Sequence, residues 1–174
     1  MCDYLEMSDP EYVKIENGIF ASYKNACIVW IEKIENKFME EAYDNYKNTV
    51  AKRNGDANEK RLFHGTGEEM ARKIIRQGFR PDLAKVCAHG DGVYFSKFAS
   101  YSKNYSIMKS KKGEEILFML ICDVITGNVG QAFGKIPKQF DSVTDSLCKP
   151  SMYIVDKSEA CIPRFLVAFY PNAK

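Results

Sequence analysis

Residues 114–125, EEILFMLICDVI, contain the longest uninterrupted apolar run of the chain, Ile116–Cys122. A short run of this kind predicts a buried β-strand, and it is far too short to cross a bilayer. Three further strand-like segments follow: DSVTD at 141–145, SMYIVD at 151–156 and PRFLVAFY at 163–170. The C-terminal part of the chain is therefore predicted to be mainly β.

Upstream of this part the pattern is a strand followed by a helix. Residues 26–34, ACIVWIEKI, are rich in apolar and β-branched residues and predict a buried strand. From about Asn36 apolar residues recur at helical spacing, and the Asn54-Gly55 pair predicts the end of that helix. The recurring residues are Met39, Tyr43, Tyr46 and Val50.

A strand that runs directly into a second helix comes next. RLFHG (61–65) predicts the strand, and residues 66–69, TGEE, have the spacing of a capping box. In such a box the Thr66 hydroxyl accepts a hydrogen bond from the amide of Glu69, whose carboxylate reaches back. Gly78 is predicted to end the helix, whose apolar stripe consists of Met70, Ala71, Ile74 and Ile75.

The middle of the chain predicts an ordered loop, a strand and a short helix. Residues 80–91, which include Pro81 and His89, predict the loop, and GVYF (92–95) predicts the strand. On the helix four residues fall at i, i+3, i+4 and i+7, on one face: Phe98, Tyr101, Ser102 and Tyr105. Because helices come first and strands dominate the end, the fold class is α+β with a largely antiparallel sheet. Neither G-x-G-x-x-G nor G-x-x-x-x-G-K-[ST] occurs, which argues against a Rossmann or P-loop nucleotide site.

Composition predicts one globular domain, residues 1–174, that stays reduced inside the cell, in the cytoplasm or the nucleus. The net charge of +2 gives no basic footprint for nucleic acid, and the KSKK cluster at 109–112 is interpreted as a solvated loop. The six cysteines form no C-x-x-C pair, and two histidines give no zinc-ligand spacing, so no metal is expected. The N-terminus lacks the apolar region of a signal peptide. The chain is expected to be a monomer that does not associate with membranes.

Each candidate site residue has an ordinary structural explanation when it is taken alone. A histidine after a strand, such as His64, is more often structural than functional, and the aromatic helix face is more often core. Thr66 has a sufficient role as a helix cap.

The combination of three motifs is far more specific. LFHGT (62–66), GDGVYFSKFASYSKNYS (90–106) and DSVTDSLCKPSMYIV (141–155), in this order, closely resemble the catalytic domain of the poly(ADP-ribose) polymerase family, most of all its mono-ADP-ribosylating branch. The resemblance extends over about residues 10–170. It implies the ADP-ribosyltransferase fold, a mostly antiparallel split β-sheet flanked by helices, with NAD as co-substrate and without the helical regulatory domain of DNA-dependent members.

The resemblance also implies roles for individual residues. The backbone N–H and C=O of Gly65 would pair with the nicotinamide carboxamide, with Ser102 as a third contact, and Tyr94 and Tyr105 would enclose the cationic ring. On the adenosine side the implied contacts are His64 and Thr66 with a ribose, and Arg80 with the diphosphate.

Met152 stands where polymer-forming members carry a glutamate. That glutamate binds a ribose hydroxyl, supports the developing positive charge and activates the hydroxyl of the growing polymer. Asp156 shares the strand face of Met152 but lies about 13 Å along it at about 3.3 Å per residue, and Glu159 is farther. The triad is therefore expected to be His64, Tyr94 and Met152.

The expected function is transfer of a single ADP-ribose from NAD to a protein acceptor, with release of nicotinamide, by an NAD-dependent pentosyltransferase. Auto-modification is one form of this reaction, and a nucleic-acid end stays open as an acceptor. Two alternatives remain: a catalytically silent NAD- or ADP-ribose-binding module, and an NAD glycohydrolase that uses water.

Overall fold

A computed structural model describes residues 3–83, 90–109 and 116–171 of the chain. In these ranges four α-helices accompany nine β-strands. The helices are α1 (Pro10–Phe20), α2 (Lys37–Asn54), α3 (Glu68–Gln77) and α4 (Ala99–Lys109). The strands are β1 (Asp3–Tyr4), β2 (Cys27–Lys33), β3 (Glu59–Thr66), β4 (Val93–Ser96), β5 (Leu117–Ile125), β6 (Val129–Gln131), β7 (Ser142–Thr144), β8 (Met152–Val155) and β9 (Cys161–Tyr170).

The strands form one sheet in the order β1-β2-β9-β5-β3-β4-β8-β7-β6. All neighbouring pairs are antiparallel except β6 with β7, which is parallel. Helices and a mainly antiparallel sheet confirm the predicted α+β class.

The sheet is nearly divided between β3 and β4. β3 pairs with β5 along its whole length, from Glu59 to Thr66, whereas in the described ranges it pairs with β4 at one position, Phe63 with Ser96. β4 continues instead into β8 through four residue pairs. We call the boundary between β3 and β4 the seam, and it corresponds to the split expected for the sheet.

The core lies on both faces of β5. Its even-numbered residues from Phe118 to Val124 pack with Ala71 and Ile74 of α3, and Leu117, Met119 and Ile121 pack against α1 and α4. All nine residues of β5 are buried. This explains its nearly continuous apolar sequence, because a strand that is covered on both faces does not alternate with polar residues.

The predicted ends of α2 and α3 are correct. Asn36 caps α2 by accepting from the Met39 amide at 3.2 Å, and Gly55 follows its last residue with φ +86°. Gly78 follows α3 with φ +78°. Both glycines have a positive φ, which glycine adopts at little steric cost.

Two local predictions are wrong. Thr66 does not cap α3: it is the buried last residue of β3, and the N-cap residue is Gly67, which has no side chain to supply a cap. Pairing of Thr66 with Phe118 in the sheet extends β3 past the point where the local motif favours a cap. The strand at 26–34 is buried only in part, since Cys27 and Val29 are exposed.

Other features were not predicted or lie outside the described ranges. Helix α1 was not predicted, although Tyr12, Ile15 and Ile19 recur on one face and are buried. Of the predicted loop at 80–91, Pro81–Leu83 form a 3-10 turn and residues 84–89 are outside the description. The side chains of the 109–112 cluster are also outside it. In the described part of the chain, no helix is both long enough and apolar enough to cross a membrane.

We predict that Leu120→Ala destabilises the fold by about 2–5 kcal/mol, because Leu120 is fully buried in the central strand and its removal leaves a cavity. Leu83→Ala is the matched control: Leu83 is 69% exposed, so a change within about 0.5 kcal/mol is expected. Urea unfolding of both variants measures the difference. Equal stability of the two variants would contradict the placement of β5 in the core.

Candidate active site

A cavity opens at the seam, between the ends of β3 and β4. Its walls come from these two strands, from helix α4 and from the first residue of β8. The lining residues are His64, Gly65, Tyr94, Phe95, Ser96, Tyr101, Ser102, Tyr105 and Met152. Of the residues predicted for the site, Thr66 and Arg80 are not in this group, and the others are.

His64 connects the two sides of the seam. Its Nδ1 lies 2.8 Å from the backbone carbonyl oxygen of Tyr94. Because a carbonyl oxygen only accepts, this contact assigns the proton to Nδ1 and leaves the lone pair on Nε2. Burial lowers the pKa of His64, and the bond to the Tyr94 carbonyl opposes this effect only in part. The imidazole is therefore neutral at pH 7, and Nε2 can accept a hydrogen bond from a ligand hydroxyl.

Gly65 permits the close approach of helix α4 to strand β3. A Cβ atom at this position would lie 1.8 Å from the backbone oxygen of Ser102 and 2.9 Å from the Ser106 hydroxyl. The structure therefore requires glycine at this position because of the neighbouring helix. The consequence for the site is that α4 forms one wall directly against the Gly65 backbone.

Two buried serines fix α4 to the sheet. The Ser102 hydroxyl donates to the carbonyl of Phe63 at 3.1 Å, and the Ser106 hydroxyl donates to the carbonyl of Phe118 at 2.6 Å. The single proton of Ser102 is thus used within the protein, and its remaining lone pairs can accept from a donor such as an amide NH₂.

Three tyrosines supply the aromatic surface of the cavity. The Tyr94 hydroxyl donates to the carbonyl of Gly90 at 2.7 Å. On α4 the hydroxyls of Tyr101 and Tyr105 lie 3.2 Å apart, with ring centroids 5.5 Å apart. Burial and then the hydrogen bond with Tyr105 raise the pKa of Tyr101 to about 12, so this phenol is protonated at neutral pH. Tyr101 was placed on the same helix face from its spacing, but no site role was predicted for it.

Met152 presents an uncharged side chain to the cavity. It is buried, begins β8, and pairs with Ser96 of β4. Neither Asp156 nor Glu159 lines the cavity: Asp156 follows the end of β8, and Glu159 lines a groove beside α2. Counting residues along the strand did not identify Asp145, which approaches the backbone of Met152 from the preceding loop. One carboxylate oxygen of Asp145 lies 3.2 Å from the backbone nitrogen of Met152.

Arg80 and Thr66 lie outside the cavity wall. Arg80 is exposed and binds the Asp82 carboxylate through Nε at 2.9 Å and through one terminal nitrogen at 2.7 Å. The adenine-side loop that was expected to follow Arg80 falls on residues 84–89, which are not described. The contact of Arg80 with a diphosphate stays a prediction, as does that of Thr66 with a ribose. Within the described part of the chain no three His, Cys, Asp or Glu residues are grouped to hold a metal ion.

Comparison with known proteins shows which family the chain resembles. The family model of the poly(ADP-ribose) polymerase catalytic domain matches residues 9–139. Human protein mono-ADP-ribosyltransferase PARP14 is 29% identical over 93% of this chain and 10% of its own length. Mouse protein mono-ADP-ribosyltransferase PARP12 is 28% identical over 98% of the chain and 25% of its own. A probable poly(ADP-ribose) polymerase of Dictyostelium discoideum is 29% identical over 91% of the chain and 49% of its own. The chain thus spans less than half of each of these relatives.

We predict that Gly65→Ala lowers the melting temperature and abolishes NAD binding, because the new methyl group meets the Ser102 carbonyl and displaces α4. Gly18→Ala is the control, since nothing lies within 4 Å of a Cβ in this exposed position of α1. That control is expected to gain up to about 1 kcal/mol through helix propensity. Thermal unfolding and calorimetric titration with NAD measure both. Full NAD affinity in Gly65→Ala would exclude the proposed wall contact.

We predict that NAD affinity is constant from pH 8 to 6.5 and decreases at lower pH. The folded-state pKa of His64 lies below the unfolded value of 6.5, so acid adds a proton to Nε2 and removes the acceptor. The same shift means that His64 destabilises the fold as pH falls from 6.5 through the folded pKa. Calorimetry across this range tests the prediction. Since His89 is the second histidine of the chain, His89→Asn serves as the control and should retain the wild-type profile.

Proposed function

We propose that this chain, which belongs to the poly(ADP-ribose) polymerase catalytic-domain family, is an NAD-dependent mono-ADP-ribosyltransferase that modifies a protein acceptor. The observation that carries the proposal is the composition of the cavity. His64, whose Nε2 can accept a hydrogen bond, and two tyrosines of α4 line it together with the uncharged side chain of Met152. The relatives named as mono-ADP-ribosyltransferases support this choice at the level of the family.

The nicotinamide end of NAD fits the seam. Gly65 lines the cavity and lies beyond the one position where β3 pairs with β4. The backbone N–H and C=O of Gly65 are therefore available to a planar carboxamide. The faces of Tyr94 and Tyr105 suit the cationic ring, each contact contributing about 0.5–2 kcal/mol according to how far it is desolvated. Nε2 of His64 would accept from a ribose hydroxyl and so orient the dinucleotide, without acting as a base.

The chemical step needs little help from a base. The bond between C1′ of the ribose and the nicotinamide nitrogen breaks, and its electron pair leaves with nicotinamide, which becomes neutral. An acceptor oxygen then forms the new bond to C1′. A carboxylate of the acceptor is already anionic, so no proton has to be removed, whereas a ribose hydroxyl must lose one.

Elongation to a polymer is the step that Met152 disfavours. A thioether accepts hydrogen bonds weakly and carries no charge, so it cannot activate the hydroxyl of an ADP-ribose chain. Asp156 and Glu159 do not line the cavity, and both oxygens of the Asp145 carboxylate are engaged by neighbouring backbone and side-chain groups. We infer that transfer stops after one ADP-ribose.

Met152 is also the observation that favours the main alternative, a silent NAD- or ADP-ribose-binding module, because it stands where polymer-forming members of the family carry a charged glutamate. An NAD glycohydrolase is the other alternative, and it differs in releasing free ADP-ribose. All three candidates bind NAD, so labelled products distinguish them.

We predict that incubation with ³²P-labelled NAD and candidate acceptors gives single labelled bands and no polymer ladder. Mass spectrometry is expected to find one ADP-ribose per modified side chain, including on the chain itself. A ladder would refute the role given to Met152. Label recovered only as free ADP-ribose would favour the glycohydrolase, and unchanged NAD would favour the silent module. Met152→Glu is expected to remain without robust polymer, because the acceptor side must also admit an ADP-ribose chain.

A further inference from the structure

The carboxylate of Asp145 holds the backbone at the start of β8. Its Oδ1 accepts from the amide of Ser151 at 2.9 Å and from the amide of Met152 at 3.2 Å. Its Oδ2 accepts from the Ser151 hydroxyl. One side chain therefore closes the loop 145–151 upon itself and binds the amide of the residue whose side chain enters the cavity.

Thr144 completes this arrangement from the neighbouring strand. Its hydroxyl donates to the carbonyl of Met152 at 2.7 Å, and it lies 3.0 Å from Oδ1 of Asp145. Asp145 thus binds the backbone N–H of Met152, and the adjacent residue Thr144 binds its backbone C=O. Such a doubly fixed backbone limits where the Met152 side chain can lie.

The charge of Asp145 persists, and none of the described residues forms a salt bridge that neutralises it. Burial acts to raise its pKa, but the hydrogen bonds from Ser151 and Met152 outweigh that effect and lower the pKa to about 2. All of its donors are neutral groups, and in the described part of the chain no lysine or arginine forms a salt bridge with it. At any pH at which the protein is assayed, Asp145 is therefore an anion to which none of the described residues supplies a counterion.

This charge is felt at the cavity. Tyr101 lines the cavity, and among the groups that raise its pKa, after burial and Tyr105, is Asp145. The described lining residues include no carboxylate of their own. Asp145 thus places a negative charge next to the backbone of Met152, a residue that lines the cavity.

Building on the proposed transfer reaction, we propose that Asp145 is a positioning residue with an electrostatic function. It holds Met152 at the cavity wall and places a fixed anion behind it, which favours the cationic nicotinamide ring and the positive charge that develops on the ribose. Met152 itself supplies neither charge nor a strong acceptor. With an effective dielectric constant of about 20, opposite unit charges about 12 Å apart attract by about 1.4 kcal/mol, which is about tenfold in a rate or an affinity.

The test compares Asp145→Asn with the wild-type chain. Asparagine keeps an acceptor oxygen for the two amides and offers an NH₂ group to the Ser151 hydroxyl oxygen, so the loop is retained and the charge is lost. We expect the melting temperature to stay within a few degrees while kcat/KM for nicotinamide release falls about tenfold. Asp156→Asn, an exposed carboxylate after the end of β8, controls for general loss of charge and should match the wild type.

A binding measurement separates the electrostatic function from a structural one. Asp145→Asn is expected to weaken binding of the cation 1-methylnicotinamide about tenfold and to leave the affinity for neutral nicotinamide unchanged. Equal changes for the two ligands, no change for either, or no binding of the cation to the wild type would overturn the inference. Absence of nicotinamide release from the wild type would instead refute the proposed function, and the paired binding constants would still decide the role of Asp145.

Discussion

The contact between the Gly65 backbone and the Ser102 carbonyl is the constraint on which the site depends. It brings α4 so close to β3 that no side chain larger than hydrogen fits between them. The helix then carries Ser102 and both of its tyrosines to the same end of β3 that presents His64. A strand, a helix and an aromatic surface are positioned by one residue that has no side chain. This explains why a glycine follows the histidine independently of any contact with a ligand.

Much of the fold could be predicted because its signals are local. The Asn36 cap, the glycines with positive φ at Gly55 and Gly78, and the apolar run of β5 each specify an element within a few residues. The capping box at Thr66 is equally local but was wrong, since pairing with Phe118 outweighs a single side-chain cap. Partial exposure of β2 could not be read from its apolar sequence, because burial depends on which elements cover the strand.

Site residues could be predicted where their spacing along one helix brings them together. Those that the topology brings together from different elements could not. Ser102 and Tyr105 reach the cavity from one helix face, as their spacing indicates, and Tyr101 belongs to the same face. The resemblance to the poly(ADP-ribose) polymerase family is confirmed, and it supplied the roles that no single residue could suggest. Asp145 could not be found by counting along β8, because a loop folds it back onto the first residue of that strand. Carboxylates near a reaction centre must therefore be sought across loops as well as along strands.

The seam between β3 and β4 has a consequence for how the protein responds to its ligand. One residue pair and the hydrogen bond of the His64 imidazole join the two parts of the sheet at the seam. The other neighbouring strands pair through two or more residues. A molecule that contacts both Gly65 of β3 and Tyr94 of β4 would connect the two strands at positions where they share no backbone pair. Under the proposed function, ligand occupancy and the stability of the sheet would thus be coupled, because a bound dinucleotide would bridge the junction that has the fewest paired residues among the described strands.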